Sequence, residues 1–214
     1  MTLSSLTIGL AAAALASAVL ATWSEAASRR GLHLITKPLT TGLIIAVAAV
    51  AAAPVPAAYK TFILAGLCFS LVGDVALMFP EKWFTAGLVA FLAAQVLYIQ
   101  AFRPLRGHPV SPATFLPFVL FGLLMFFLLA PKLGPMKVPV FVYIAAITMM
   151  AGFAAARYVD RGGTRALLAF LGAVLFLVSD SVLAYDRFAR KVPGARIIVL
   201  GTYFPAQLLI ALSI

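Results

Sequence analysis

The sequence predicts an all-α polytopic membrane protein with about eight transmembrane helices. Of the 214 residues, 64% are hydrophobic and only 10% are charged, whereas soluble domains carry about 25% charged residues. The mean hydropathy is +1.11. Apolar residues also run continuously over roughly the 20 positions that a helix needs to cross a bilayer, without the alternation that is typical of a membrane β-barrel.

Eight apolar segments follow one another along the chain, and each is predicted to be a membrane helix. Their ranges are 3–23, 38–53, 61–79, 84–102, 112–130, 138–156, 166–185 and 196–213. Short clusters of proline, glycine and charged residues separate them, as is typical of turns. No linker is long enough to divide the chain, so we predict one helical-bundle domain over residues 1–214.

The positive charge predicts an orientation in the membrane. The 16 Lys and Arg residues outnumber the six acids, and they lie in short loops, where positive charge meets lipid headgroups. This distribution argues against nucleic acid as a partner. The loops after odd-numbered segments hold ten of these residues and the others hold six. We therefore expect the odd-numbered loops in the cytoplasm and both termini outside, in a multi-pass protein of the bacterial inner membrane, with the lipid bilayer as its surroundings.

Several kinds of catalytic site are excluded by composition. Cys68 is the single cysteine, and His33 and His108 are the two histidines, which are too few for a zinc site. Ser70, Ser179 and Ser181 lie near acids, but no histidine accompanies them to form a Ser-His-Asp triad. We expect neither a metal nor a cofactor.

Two acids lie within apolar segments at matching positions. Asp74 stands in S-L-V-G-D-V-A-L-M-F at 70–79, and Asp180 stands in F-L-V-S-D-S-V-L-A-Y at 176–185. The segment after each acid carries a glutamine, Gln95 in A-Q-V-L and Gln207 in A-Q-L-L. This pattern favours a four-helix unit used twice, with both halves entering the membrane in the same direction. The alternative is a chance likeness between two helices rich in leucine and valine.

The repeat predicts that Asp74 and Asp180 lie at similar depth, near the odd-loop side, where they could face one another. A carboxylate inside the membrane is energetically costly and indicates a functional site. The alternative for each is a packing acid paired with a nearby Arg or Lys. The other acids lie in loops or at helix ends and are interpreted as solvated charges, with Arg187 as the partner of Asp186; these acids are Glu25, Glu81, Asp160 and Asp186.

Further polar residues are candidates for substrate binding. Those inside apolar segments either bind substrate or form hydrogen bonds between helices. Lys37, at the predicted mouth of the second helix, either holds a lipid phosphate or extends to the membrane surface. The candidate binding residues are Lys37, Gln95, Tyr98, Ser179, Tyr203 and Gln207.

Two neighbouring carboxylates in a medium of low dielectric constant hold one shared proton and so supply an acid and a base. Suitable reactions are peptide hydrolysis by an activated water and hydrolysis of an acid-labile ether. A proton-coupled carrier of lipids or small solutes would use the same two residues for binding. An intramembrane aspartyl protease is disfavoured, because neither Asp74 nor Asp180 stands in the Tyr-Asp or Gly-x-Gly-Asp context of that class.

An ordered set of motifs resembles the YhhN/TMEM86 family of integral-membrane lysoplasmalogenases. The motifs are Lys37-Pro38-Leu39-Thr40, L-V-G-D-V-A-L-M around Asp74, G-L-V-A-F-L at 87–92 with Y-I-Q-A-F at 98–102, L-F-L-V-S-D-S at 175–181, and Thr202-Tyr203 through Gln207-Leu208-Leu209-Ile210. One departure is Gln95, where the family pattern often has a histidine.

The resemblance implies a lysophospholipid substrate and an ether hydrolase that converts a lysoplasmalogen into a fatty aldehyde and a glycerophospho-headgroup. A protonated aspartic acid would donate to the β-carbon of the vinyl ether. The second, ionised aspartate would stabilise the oxocarbenium ion and activate water. Asp74 and Asp180 are the implied catalytic pair, with the two roles unassigned, and Lys37 or a loop arginine would hold the phosphate. The sequence does not determine the oligomeric state.

Overall fold

The computed structural model describes residues 4–52, 55–103 and 110–214 and forms eight α-helices in this part of the chain. They are α1 (Ser5–Ala26), α2 (Arg30–Val50), α3 (Ala57–Leu77), α4 (Pro80–Phe102), α5 (Leu116–Leu129), α6 (Lys137–Arg161), α7 (Gly163–Ala184) and α8 (Ala195–Leu212). Two predicted segment boundaries, at residues 3 and 53, lie outside the described residues. The same is true of the loop that contains Arg106 and His108.

The length and composition of these helices confirm the predicted polytopic all-α fold. Seven of them are long and apolar enough to cross a membrane, while α5, with 14 residues, is shorter. A 3₁₀ turn at Ala130–Lys132 continues α5, and another at Pro112–Thr114 precedes it. Apolar side chains such as Val19 and Phe127 are 70% exposed, as expected for surfaces that contact lipid.

The predicted start of the second helix at residue 38 was wrong. Helix α2 begins at Arg30 and contains Pro38 in its interior. Proline is favoured at the first position of a helix, and inside one it removes a single backbone donor. Lys37 therefore lies two turns inside α2, where it is buried, and not at the mouth of the helix.

Helix packing shows two hairpins with equivalent neighbours. Helix α3 packs along α4, and α7 packs along α8. Helix α2 contacts α3 and α8, and in the same way α6 contacts α7 and α4. The equivalence ends at the outer helices, because α1 packs against both α2 and α8, whereas α5 packs on α6 without close packing along α4.

Two glycines at equivalent positions allow the hairpin helices to approach closely. A Cβ on Gly66 of α3 would lie 2.3 Å from the ring of Tyr98 on α4, and a Cβ on Gly172 of α7 would lie 2.8 Å from Ile210 on α8. Each glycine precedes its aspartate by eight residues, and each partner follows its glutamine by three. This correspondence supports the predicted repeat, which was inferred from the stretches around the two acids and from the two glutamines, without these glycines.

Gly66→Ala is expected to lower the melting temperature of the purified protein in detergent. The added methyl group overlaps the Tyr98 ring, and an overpacked core typically loses about 1–3 kcal/mol. Moving the ring also strains the 2.8 Å hydrogen bond from the Tyr98 hydroxyl to Gln207. Gly42→Ala in α2 is the matched control, because no atom lies within 4 Å of its added Cβ and alanine favours a helix. Equal melting temperatures for the two variants would contradict the close approach of α3 and α4.

Candidate functional site

Asp180 lies on the wall of a cavity between α4, α5, α6 and α7. The space in and in front of this cavity amounts to about 670 Å³, part of which is open to the surroundings. Its walls are almost entirely apolar, and the polar side chains among them are those of Tyr143, Thr148, Asp180 and Ser181. The hydroxyls of Thr148 and Ser181 donate to carbonyls of their own helices. Asp180 and Tyr143 are therefore the polar groups most available to a molecule in the cavity.

Uncharged donors surround the Asp180 carboxylate. The Tyr143 hydroxyl of α6 and the Gln95 amide of α4 both donate to its Oδ2 atom, the latter over 3.4 Å. Among the described residues, no Lys or Arg forms an ion pair with Asp180. Gln95 is fully buried and does not line the cavity, and among the described residues its Oε1 atom has no hydrogen-bond partner. An acceptor that lacks a partner thus lies beside the acid.

Asp74 has a different environment, in which a cation balances its charge. Its carboxylate is 1% exposed, and its Oδ1 atom lies 3.3 Å from the Lys37 ammonium. The hydroxyls of Thr41 and Tyr203 donate to Oδ2 over 2.6 and 2.8 Å. Asp74 does not line the cavity. This arrangement joins α2, α3 and α8 and matches the alternative of a packing acid paired with a lysine.

Aromatic rings connect the surroundings of the two acids. Phe91 lines the cavity on one side and packs edge-on against Tyr203, with ring centroids 5.8 Å apart. Tyr203 is a donor to Asp74. A Cβ on Gly73, the residue before Asp74, would lie 2.6 Å from the Phe91 ring. Phe91 and Tyr203 therefore form a chain of contacts from the cavity wall to Asp74. Within the described residues, the two acids share no hydrogen-bond partner.

The other predicted binding residues form hydrogen bonds between helices. Tyr98 donates to Gln207 over 2.8 Å, and Gln207 donates to Ser70 over 2.9 Å. The Ser179 hydroxyl donates to the carbonyl of Val199 on α8. None of these side chains lines the cavity. Their role in substrate binding stays a prediction, as does that of Lys37.

Tyr143 was not predicted to be a site residue from the sequence. Its signal was of the same kind as that of Tyr98 and Tyr203, a tyrosine inside an apolar run, but nothing in the sequence linked it to Asp180. In the described part of the chain, no group of three or more His, Cys, Asp or Glu side chains is arranged to hold a metal ion.

The predicted pairing of Asp186 with Arg187 was wrong. Asp186 accepts from the Lys191 ammonium over 3.0 Å and from the Val192 amide over 2.9 Å. The Arg187 guanidinium instead lies 4.8 Å from the ring centroid of Phe84. Phe84 is one of the residues that line the cavity.

Lys37→Met is expected to destabilise the protein by about 3 kcal/mol, because it leaves the buried Asp74 charge without its partner. The double variant Lys37→Met with Asp74→Asn is expected to recover part of this loss. Lys191→Met is the matched control, since its ion pair with Asp186 is exposed and such pairs contribute little. Thermal unfolding in detergent measures these three variants and Asp74→Asn alone, and a loss in the double variant equal to the sum of the two single losses would argue against a coupled buried pair.

Comparison with known proteins identifies the family. The YhhN family model matches residues 32–214. Lysoplasmalogenase TMEM86B of Sus scrofa is 36% identical over 157 residues, which are 73% of this chain and 64% of that relative. Lysoplasmalogenase TMEM86A of Bos taurus is 36% identical over 163 residues, which are 74% and 66% of the two chains. The match thus spans just under two thirds of these relatives.

A bacterial relative matches over more of its length. The uncharacterized membrane protein YhhN of Escherichia coli O157:H7 is 30% identical over 182 residues, which are 84% of this chain and 86% of that protein. No solved structure matches the chain. The family model and these relatives cover most of the sequence, and the chain therefore belongs to the YhhN family.

Proposed function

We propose that this protein is a membrane-embedded hydrolase that cleaves the vinyl ether bond of lysoplasmalogen-like lysophospholipids. The observation that carries the proposal is the carboxyl group of Asp180 on the wall of an otherwise apolar cavity. Similar proteins named lysoplasmalogenases support the choice of bond. The membrane would be the inner membrane of a bacterium, in keeping with the similar YhhN protein of Escherichia coli.

The cavity suits one hydrocarbon chain with an ether group beside Asp180. Its aliphatic and aromatic walls offer a chain no polar partner. A lipid that enters from the bilayer leaves one apolar medium for another, so burial of its chain adds little binding free energy. The few polar groups around the cavity would therefore decide which lipid reacts and where.

The reaction starts with transfer of the Asp180 proton to the β-carbon of the vinyl ether. The electrons of the C=C bond form the new C–H bond, which leaves an oxocarbenium ion next to the Asp180 carboxylate. This anion stabilises the ion in the low dielectric of the cavity. Asp180 must carry a proton when the lipid binds, and an apolar wall without a paired cation favours the neutral acid over the carboxylate. Tyr143 would hold the carboxyl in place by its hydrogen bond.

Water then adds to the oxocarbenium carbon and gives one proton to the Asp180 carboxylate. The product of this addition is a hemiacetal. Return of this proton to the ether oxygen breaks the C–O bond and releases the glycerophospho-alcohol. The remaining hydroxyl gives its proton to the Asp180 carboxylate as it becomes the carbonyl of the fatty aldehyde, which restores the protonated acid. We assign the positioning of the water to Gln95, because its unpartnered Oε1 atom beside Asp180 can accept a hydrogen bond from it. The same carboxyl thus acts first as an acid and then as a base.

Asp74 is proposed to position the cavity wall without touching the substrate. It is sealed from the cavity and its charge is balanced by Lys37. Its hydrogen bond with Tyr203 fixes the ring that packs against Phe91, and Phe91 forms part of the wall. In this proposal the two aspartates do not share a proton. Asp180 transfers protons to and from the substrate, and Asp74 positions the cavity wall.

Asp180→Asn is expected to lower the rate of aldehyde release from a lysoplasmalogen by 10²–10⁴-fold, the usual contribution of a general acid. Tyr143→Phe is expected to lower kcat about tenfold, because one hydrogen bond to the acid is lost. The assay uses purified protein in mixed micelles. Glu81→Gln, which removes an exposed carboxylate at the start of α4, is the matched control and should retain full activity.

Full activity of Asp180→Asn would refute the assignment of the acid. Proteoliposomes separate the hydrolase from the carrier hypothesis. Movement of intact lysolipid that stops when a pH gradient is dissipated, without aldehyde release, would favour a carrier.

A double variant separates a positioning role of Asp74 from a catalytic one. Lys37→Met with Asp74→Asn removes both charges of the buried pair and leaves Asp180 and Tyr143 unchanged. We expect measurable aldehyde release, lowered about tenfold or less, and more activity than in Asp74→Asn alone, which leaves Lys37 unpaired. Loss of activity equal to that of Asp180→Asn, in double-variant protein that is folded by circular dichroism, would restore Asp74 to a direct catalytic role.

A further inference from the structure

A cation that forms no ion pair with any described residue lies beside the wall of the cavity. The Arg187 guanidinium carbon is 4.8 Å from the ring centroid of Phe84. The Phe84 ring in turn packs edge-on against Phe188, with centroids 5.7 Å apart. Both phenylalanines line the cavity, whereas Arg187 itself is exposed. The guanidinium therefore lies against Phe84, one of the two wall residues, and outside the cavity.

A π-helical turn at Tyr185–Ala189 holds Arg187 in this position. Such turns are rare and occur frequently at functional sites. The neighbouring Asp186 is engaged by Lys191 and by the Val192 amide. Within the described residues, Arg187 consequently has no carboxylate partner.

A second cation lies at the same turn. The Lys132 ammonium, at the end of α5, donates to the carbonyl of Ala189 over 2.6 Å. Leu129, one turn earlier in the chain, lines the cavity. The bond from Lys132 thus ties the π-helical turn to the helix on the opposite wall. It also adds positive charge to the side of the cavity that carries Arg187.

The spacing between Arg187 and Asp180 matches the spacing between two groups of a lysoplasmalogen. Arg187 follows Asp180 by seven residues, of which the first four continue α7 and the last three belong to the π-helical turn, so their backbone positions lie roughly 10 Å or less apart along the helix axis. In the lipid, seven bonds lead from the phosphorus through the glycerol to the β-carbon of the vinyl ether. These bonds span roughly 9 Å when extended. A phosphate at Arg187 would therefore bring the β-carbon close to the Asp180 carboxyl.

We propose that Arg187 binds the phosphodiester of the single-chain lipid whose hydrocarbon chain occupies the cavity. This inference rests on the proposed function, and it names the headgroup contact that sets the position of the vinyl ether. Arginine suits the role, because its planar guanidinium can donate two parallel hydrogen bonds to phosphate oxygens. The site selects phospholipids over uncharged ether lipids of equal chain length.

The test compares two substrates that differ only in the phosphate. They are 1-alkenyl-glycerophosphoethanolamine and the phosphate-free 1-alkenylglycerol, each followed by aldehyde release in neutral detergent micelles. Arg187→Gln is expected to raise KM for the phospholipid about tenfold, the scale of a hydrogen bond to a charged group, and to leave KM for the alkenylglycerol unchanged. Arg187→Lys is expected to lie between the two, because it keeps the charge without the paired donors.

Arg190→Gln is the matched control. Arg190 is exposed and directly follows the π-helical turn, but among the described residues its guanidinium, unlike that of Arg187, lies over no aromatic ring of the cavity wall. It should leave KM unchanged for both substrates. An equal rise of KM for both substrates in Arg187→Gln would overturn the proposal in favour of a structural role through Phe84. An unchanged KM for the phospholipid would overturn it as well.

A binding measurement distinguishes failure of this inference from failure of the proposed function. A 1-alkyl lysophospholipid has no vinyl ether and cannot be hydrolysed by this chemistry. Calorimetry of its binding to the wild-type protein and to Arg187→Gln, in the same micelles, reports the phosphate contact alone. Weaker binding to the variant supports the site even when no lysoplasmalogen is cleaved. Equal binding, with or without catalysis, rejects it and leaves Arg187 as a contact for bilayer headgroups.

Discussion

The buried carboxylate of Asp74 is the interaction on which the rest of the structure depends. An ion removed from water is strongly destabilising unless a counter-ion and hydrogen bonds compensate it. Lys37 and Thr41 of α2 and Tyr203 of α8 supply both. Each comes from a different turn or helix, so the requirement to satisfy one carboxylate fixes α2, α3 and α8 relative to one another.

The same geometry recurs around Asp180 with a different outcome. Helix α6 takes the place of α2 and donates from Tyr143, and α4 takes the place of α8 and donates from Gln95. Both donors are uncharged, and neither closes the space in front of the acid. On the first side α1 packs against α8, whereas on the second side α5 does not pack closely along α4. One half of the repeat is thus a closed support and the other contains the cavity.

The features predicted from the sequence are those that a membrane makes conspicuous. Asp74, Asp180, Gln95 and Gln207 stand out because polar residues are rare in apolar runs, and a bundle without hydrophobic attraction between its helices relies on such groups. The depth of Lys37 was not predicted, since Pro38 fits both a helix start and a helix interior. Whether Pro38 lies at the start or in the interior of the helix depends on whether Lys37 has a buried partner. That partner, Asp74, belongs to another helix, α3.

The cavity itself was beyond prediction for a related reason. Its walls are mainly leucine, isoleucine and phenylalanine side chains, and in a sequence such residues look the same whether they contact lipid, a neighbouring helix or a substrate. Apolar residues in a membrane therefore reveal little about where a helix pair separates. Tyr143 could be recognised as polar but not as a partner of Asp180, because the sequence does not specify which face of α6 turns towards α7.

Recognition of a lipid in such a cavity follows the same physics as the fold. Helices in a bilayer gain little from burying apolar surface and are specified by their few polar contacts. A lipid chain that moves from the bilayer into the cavity likewise gains little free energy from burying apolar surface. Under the proposed function, its identity would be recognised through the acid on the wall, Asp180, and through Arg187. The distance between these two groups would then define the length of the polar segment that fits, independently of the length of the hydrocarbon chain.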